Sequence, residues 1–170
     1  HVFGPFYIYA NTDVANVVFE NIAEGNNQNS TIIQIFLTPP PDITVSAVDA
    51  PLTANNMQTV NVNWTVVNQG FTPTDAGWTD RLYLTTNAVY DLNGAQVLLS
   101  KPVATVLQPG GFYSTTQSVL IPEVPAGNYY IYAQTDASNT LFEYTGESNN
   151  ILRTVQPLII SNPDLQVTNV

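Results

Sequence analysis

The sequence predicts an all-β fold, an antiparallel β-sandwich of about seven strands, on three observations. The first is period-two alternation: in "QTVNVNWTVVN", Val60, Val62, Trp64 and Val66 alternate with Thr59, Asn61, Asn63 and Thr65, the pattern of a half-buried strand. The second is regular turn punctuation, with Asn93-Gly94, Pro109-Gly110-Gly111 and Pro125-Ala126-Gly127 standing between apolar runs. The third is composition. The 170 residues are 44% hydrophobic, only 9% charged, and include 12 Pro and 9 Gly, which suits strands and turns around a packed core rather than disorder.

The elements follow in order. "TVSAV" (Thr44 to Val48) is a first strand, followed by the Val60–Val66 strand. "WTDRLYLTT" places Trp78, Leu82 and Leu84 on one face and Thr79, Arg81 and Tyr83 on the other. Asp80 falls on the apolar face, where a carboxylate needs a partner; a backbone group, a bulge or an ion would serve, in a structural role. "AQVLLSK", "FYSTTQSVLI", "NYYIYAQTD" and "NILRTVQPLII" complete the set. Pro157 lies inside the last run, so that strand is expected to be an edge there or to switch sheets. Tyr129 follows "PAGN" where sandwiches keep a tyrosine corner, and it reads equally as a core aromatic. Seven or so short strands over about 120 residues make the immunoglobulin-like pattern.

A repeat runs through this frame. "YIYANTDVANVVFENIAEGNN" from Tyr7 returns as "YIYAQTDASNTLFEYTGESNN" from Tyr130, an offset of 123 residues. Phe6 stands at the Tyr129 position and has no hydroxyl. "PDITVSAV" from Pro41 resembles "PDLQVTNV" from Pro163. Self-similarity at a fixed spacing predicts a tandem array. Residues 1–38 then read as the C-terminal strands of a preceding repeat, 39–162 as a complete immunoglobulin-like repeat and 163–170 as the first strand of a following one. The chain reads as an excerpt from a longer one.

"PDITVSAVDAP", "QTVNVNWTVVNQG", "WTDRLYLTTNAVYD", "VLQPGGFYSTTQSVLIP", "AGNYYIYAQTDASNTLFE" and "ESNN", in that order, resemble the CARDB family, the cell-adhesion-related domain of bacteria and archaea. The resemblance covers Pro41 to about Ile160. It implies a β-sandwich set in tandem within large exported proteins, and it identifies no ligand.

Charge excludes several partners. Three basic residues, Arg81, Lys101 and Arg153, stand against thirteen acidic ones, for a net charge of -10. Nucleic-acid binding needs clustered Lys and Arg, and anionic membrane surfaces are disfavoured for the same reason. No apolar run approaches the ~20 residues of a membrane span. Cysteine is absent, which removes disulfides, thiol catalysis and zinc-thiolate sites; absence of cysteine is compatible with an exported protein.

Catalysis lacks equipment. The single histidine is His1, and no nucleophile stands with an activating base. Glu143 and Glu147 as a glycosidase pair would need a sugar-sized cleft, and Glu20 and Glu24 repeat them. The reading is that the chain is not an enzyme. Calcium is the more serious chemistry. Asp136, Asn139, Glu143, Glu147, Asn149 and Asn150 gather hard oxygen donors within fifteen residues, with repeat equivalents at Asp13, Asn16, Glu20, Glu24 and Asn26; calcium takes roughly 6–8 such oxygens. The same residues read more readily as turn formers bonding their own backbone, with Glu143 capping N–H groups, because the donors lack the fixed loop spacing of a calcium site. "VYDLNG" fails as an EF-hand, because Val89 and Ser100 fall where carboxylates are required; Asn93-Gly94 is a tight turn. Asn29-Ser30-Thr31 and Asn63-Trp64-Thr65 are formal glycosylation sequons, and Tyr83, Tyr130 and Tyr132 read as cross-strand pairs rather than sugar platforms.

The expectation is a structural module of an extracellular or cell-surface protein, extending a filament or adhesin stalk. Its partners are neighbouring repeats or copies of itself. The alternative is a calcium-dependent module binding a glycan or a surface protein. "TPPPD" and "SNPD" favour extended, semi-rigid joints between units. Residues 1–38 carry a lone two-stranded hairpin, marginal in water, so it is expected to be covered, with strand exchange as one route to assembly.

Overall fold

The computed structural model describes residues 3–75 and 77–162. It divides the chain into two compact units, His1–Thr38 and Pro39–Val170. The tail 163–170, expected to open a following repeat, lies outside the described residues, as does the side chain of Glu24. Among the described residues no helix is long and apolar enough to cross a membrane.

The first unit is one antiparallel hairpin. β1 (Gly4–Asn11) pairs β2 (Gln28–Ile35) from Gly4↔Ile35 to Asn11↔Gln28 without a break. A 3-10 helix at Asn21–Asn26 lies in the connection.

The second unit is the expected sandwich. β3 (Ile43–Asp49), β5 (Thr59–Asn68) and β8 (Phe112–Leu120) form one antiparallel sheet. The facing sheet contains β4 (Thr53–Asn55), β6 (Trp78–Thr85), β7 (Gln96–Val103), β9 (Gly127–Gln134), β10 (Ile151–Arg153) and β11 (Leu158–Ser161). Its order is β4-β11-β9-β6-β7, with β10 also on β9. Among the described residues only the β11–β4 pairing is parallel.

The alternation in β5 settles the core. Val60, Val62, Trp64 and Val66 are all buried, and they meet Trp78, Leu82 and Leu84 of β6 and Ile131 of β9 in a single cluster between the sheets. Burial of such side chains contributes roughly 1.5–3 kcal/mol each. Tyr83 is buried too, so β6 is covered on both faces toward its C-terminal end.

Turns form where their residues require. Gly110 sits at φ 73 with Gly111 N–H donating to the Gln108 carbonyl at 2.7 Å, a β-turn with Pro109 second and glycine third. Leu92-Asn93-Gly94-Ala95 closes likewise, Ala95 N–H donating to Leu92 O at 3.0 Å. The Tyr129 hydroxyl donates to the Pro125 carbonyl at 2.9 Å, so the tyrosine corner is formed.

Pro157 interrupts the last strand. β10 and β11 both pair β9, so no switch of sheet occurs, but the register changes between Arg153↔Tyr132 and Leu158↔Tyr129. Proline has no N–H for the ladder. In the first unit the equivalent position is Gln34, and β2 runs unbroken through it.

The start of the sandwich is pinned by Asn68, which is fully buried. Its Oδ1 accepts the N–H groups of Asp42 at 3.1 Å and Gly70 at 3.0 Å, while its Nδ2 donates to the carbonyls of Thr72 and Leu107. Gln69 N–H donates to Asp42 O at 2.7 Å and Phe71 N–H to Pro40 O at 3.3 Å. A Cβ on Gly70 would stand 2.5 Å from Asp42 N and 2.6 Å from Pro40 O. Only glycine permits this approach.

Candidate metal centre

The segment from Thr135 to Asn150 leaves β9 and returns as β10. Asp136 at φ 41 and Asn139 at φ 50 take the left-handed conformation that Asp and Asn tolerate because their short side chains bond locally. Asp136 Oδ1 accepts the N–H and hydroxyl of Thr140, both at 2.9 Å, and its Oδ2 accepts Leu141 N–H at 2.8 Å. This bends the chain so that Glu143 turns inward. A 3-10 helix at Gly146–Ser148 then brings Glu147 back, its Oε1 accepting Glu143 N–H at 2.8 Å.

Glu143 is buried, 2% exposed. Its Oε1 accepts the backbone N–H of Ile43, the first residue of β3, and its Oε2 accepts Nδ2 of Asn150. Asp42 stands beside it: a Cβ on Gly146 would lie 2.7 Å from Asp42 Oδ1 and 3.3 Å from Glu143 Cβ. Burial pushes the Glu143 carboxyl up to about 7. The Ile43 N–H and Asn150 amide pull the other way, and the neighbouring Glu147 and Asp42 charges push it further up.

Asp136, Glu143 and Glu147 each offer a carboxylate oxygen, and these lie within 4.8 Å of one another. Two oxygens at this site are buried without a hydrogen-bond partner: Glu147 Oε2 and Asn150 Oδ1. All are hard oxygen donors, and the set fits a hard divalent cation such as calcium rather than zinc or copper.

Of the residues expected from sequence, Asp136, Glu143 and Glu147 are brought together, with Asn150 bonded to Glu143. Asn139 is exposed and serves the turn, its N–H donating to Asp136 O at 2.9 Å. Asn149 is also exposed and directs its Nδ2 to Asp42 Oδ1 at 2.9 Å. Asp42, which stands beside Glu143 and adds its charge there, was not among the residues expected from sequence. Its signal was the recurrence of Pro-Asp at Pro41-Asp42 and Pro163-Asp164, read as a mark of the repeat and of the joint but not as part of the carboxylate group.

The repeat equivalents reproduce the turn. Asp13 sits at φ 42 and Asn16 at φ 51, and the Asp13 carboxylate accepts Val17 N–H at 2.8 Å and Val18 N–H at 3.0 Å. Glu20 precedes the first 3-10 helix and Asn26 ends it. The Glu24 side chain lies outside the described residues, so grouping of the second set stays an expectation.

Asp80 belongs to a different arrangement. It is 1% exposed and accepts Nε1 of Trp64 at 2.8 Å, Nε1 of Trp78 at 3.2 Å, Oγ1 of Thr135 at 3.0 Å and the Tyr113 hydroxyl. The expected backbone group or ion is replaced by four side-chain donors drawn from both sheets. Burial and the Asp80 carboxylate raise the Tyr113 hydroxyl above its ordinary value, so it stays a donor.

Among solved structures the chain is similar to the crystal structure of a CARDB domain from Pyrococcus furiosus in complex with di-metal ions, at 22% identity and TM-score 0.53, covering 74% of this chain and 97% of that one. It is also similar to the solution structure of the same domain, at 22% identity and TM-score 0.52, covering 72% of this chain and 97% of that one. These likenesses concern the fold. No curated protein matches the chain. The CARDB family model matches residues 40–154, a span holding β3 through β10, the Asp80 cluster and the whole carboxylate group, and the chain belongs to the CARDB family.

Proposed function

We propose that the chain is a non-enzymatic structural repeat of an exported protein, a module that extends a surface filament, adhesin or stalk. The observation that carries this reading is the recurrence of one hairpin. Asp13, Asn16 and Asn21 at φ 42, 51 and 56 match Asp136, Asn139 and Tyr144 at φ 41, 50 and 58, each pair 123 residues apart. The hydrogen bonds recur with them: Thr12 N–H to Asn27 O and Thr135 N–H to Asn150 O are both 2.9 Å. In this reading 1–38 closes one unit, 39–162 is a complete unit and 163–170 opens the next. Residues 39–162 expressed alone are expected to melt in one cooperative transition near the main transition of the whole chain. Failure of that piece to fold would remove the reading.

A second reading is favoured by the two buried oxygens without partners, Glu147 Oε2 and Asn150 Oδ1. In it Asp136, Glu143 and Glu147 hold a divalent cation that locks the first strand, and the loops at that end present a calcium-dependent surface to a glycan or protein. The di-metal complex of the Pyrococcus furiosus CARDB domain lends it support. Calorimetric titration with calcium is expected to give heat with the parent chain and none with Glu147→Gln; no heat from either would end it.

A further inference from the structure

Two copies of one strand sit in different surroundings. In β9, Ile131 is 0% and Tyr132 3% exposed; in β1, their equivalents Ile8 and Tyr9 are 52% and 60% exposed. The difference lies in the neighbours. β9 has β10 and β11 along one edge and β6 along the other, whereas among the described residues β1 pairs β2 alone. A strand edge with unpaired backbone groups beside an apolar face invites an added strand.

We infer that the open edge and inner face of the hairpin Gly4–Ile35 form a docking surface for a half-sandwich of the Ile43–Leu120 type lacking a closing hairpin of its own. The inference rests on the repeat reading and adds the occupant and its register. β6 meets β9 with Leu82 opposite Ala133 and Leu84 opposite Ile131; moved by 123 residues, a Leu82-type side chain faces Ala10 and a Leu84-type one faces Ile8. Shape and register, not net charge, carry the match: the hairpin unit carries Asp13, Glu20 and Glu24, and the Ile43–Leu120 segment carries Asp49, Asp75, Asp80 and Asp91 against Arg81 and Lys101. The Arg81-type residue would lie opposite Asn11, two positions from Asp13. A closed second copy cannot serve, because its own β6 edge is filled by β9.

A copy of residues 42–123 fused ahead of His1 tests this, since His1 then follows residue 123 as Val124 does. Amide hydrogen exchange of Tyr7–Ala10 is expected to slow by about 100-fold or more, as for strands inside a cooperative unit, with a second melting transition. Ile8→Asp in the fusion is expected to abolish both and leave the 39–162 transition in place. Parent exchange rates at Tyr7–Ala10 in a fusion whose 39–162 transition is intact would overturn the inference while sparing the autonomy of 39–162. Should the added segment misfold, the peptide Gly77–Asn87 added to the unmodified chain is expected to slow the same amides, and no slowing there overturns the inference equally. Self-association of the unmodified chain through Ile8, blocked by Ile8→Asp and indifferent to the peptide, would also overturn it.

Discussion

Glu143 accepts the backbone N–H of Ile43, a residue one hundred positions earlier. One buried carboxylate thus fastens the first strand of the sandwich to the turn between two of its last. Removing it leaves the Ile43 N–H and the Asn150 amide without partners, and each such buried group costs ~1–3 kcal/mol. Glu143→Ala is expected to destabilise the chain by about 2–4 kcal/mol, read as a lower urea midpoint. Glu143→Gln keeps an acceptor for Ile43, and a rotated Asn150 amide can offer its Oδ1 to the new NH2. It is expected to stay within about 1 kcal/mol of the parent, because it also removes like-charge repulsion from Glu147 and Asp42.

The same residue sets a pH dependence. A Glu143 carboxyl at about 7 in the folded chain, against an ordinary value near 4.5, means that the folded state holds the proton more tightly. Its contribution is fully present below about 4.5 and is lost as pH rises through about 7. In a chelating buffer the melting temperature is expected to fall between pH 5 and pH 8, and to fall less for Glu143→Gln. Equal profiles for the two chains would contradict the assignment.

Asp80 is expected to be the most sensitive polar position in the core. Asp80→Leu strips four donors of their acceptor at once, including both indole N–H groups. A loss of about 3–5 kcal/mol is expected, in the range for breaking a buried polar network. Asp80→Asn, which keeps one acceptor oxygen, is expected to cost less. Denaturant unfolding of the two variants gives the order.

Gly70→Ala tests the pinned start of the sandwich. The new methyl would stand 2.5–2.6 Å from backbone atoms of Pro40, Pro41 and Asp42, so that segment must move. A loss of about 1–3 kcal/mol is expected, as for overpacked sites, with faster amide exchange at Asp42 and Phe71.

What could be read before the fold was known depended on how local the cause is. Alternation in Thr59–Asn68 is set by the strand's own pleat, so Val60, Val62, Trp64 and Val66 were recognisable as core from spacing alone. The face of Asp80 followed from the same rule, but its partners did not. Trp64, Tyr113 and Thr135 lie 16, 33 and 55 residues away, and no periodicity brings them together. Pro157 announced a disturbance because proline lacks a donor; its form, a register change on one neighbour, depended on β9. Asp136, Glu143 and Glu147 were visible as a group because one turn holds them. Asp42 was not, since only closure of the sandwich carries it to Glu143.

Asn68 has a mechanical consequence. Its side chain engages four backbone groups, among them the amide just ahead of β3. A tug delivered at Pro40 therefore reaches the middle strand of the smaller sheet before it can peel the outer one away. Under tension the module should give way last at its leading end, with Asn68 as the rivet that has to shear.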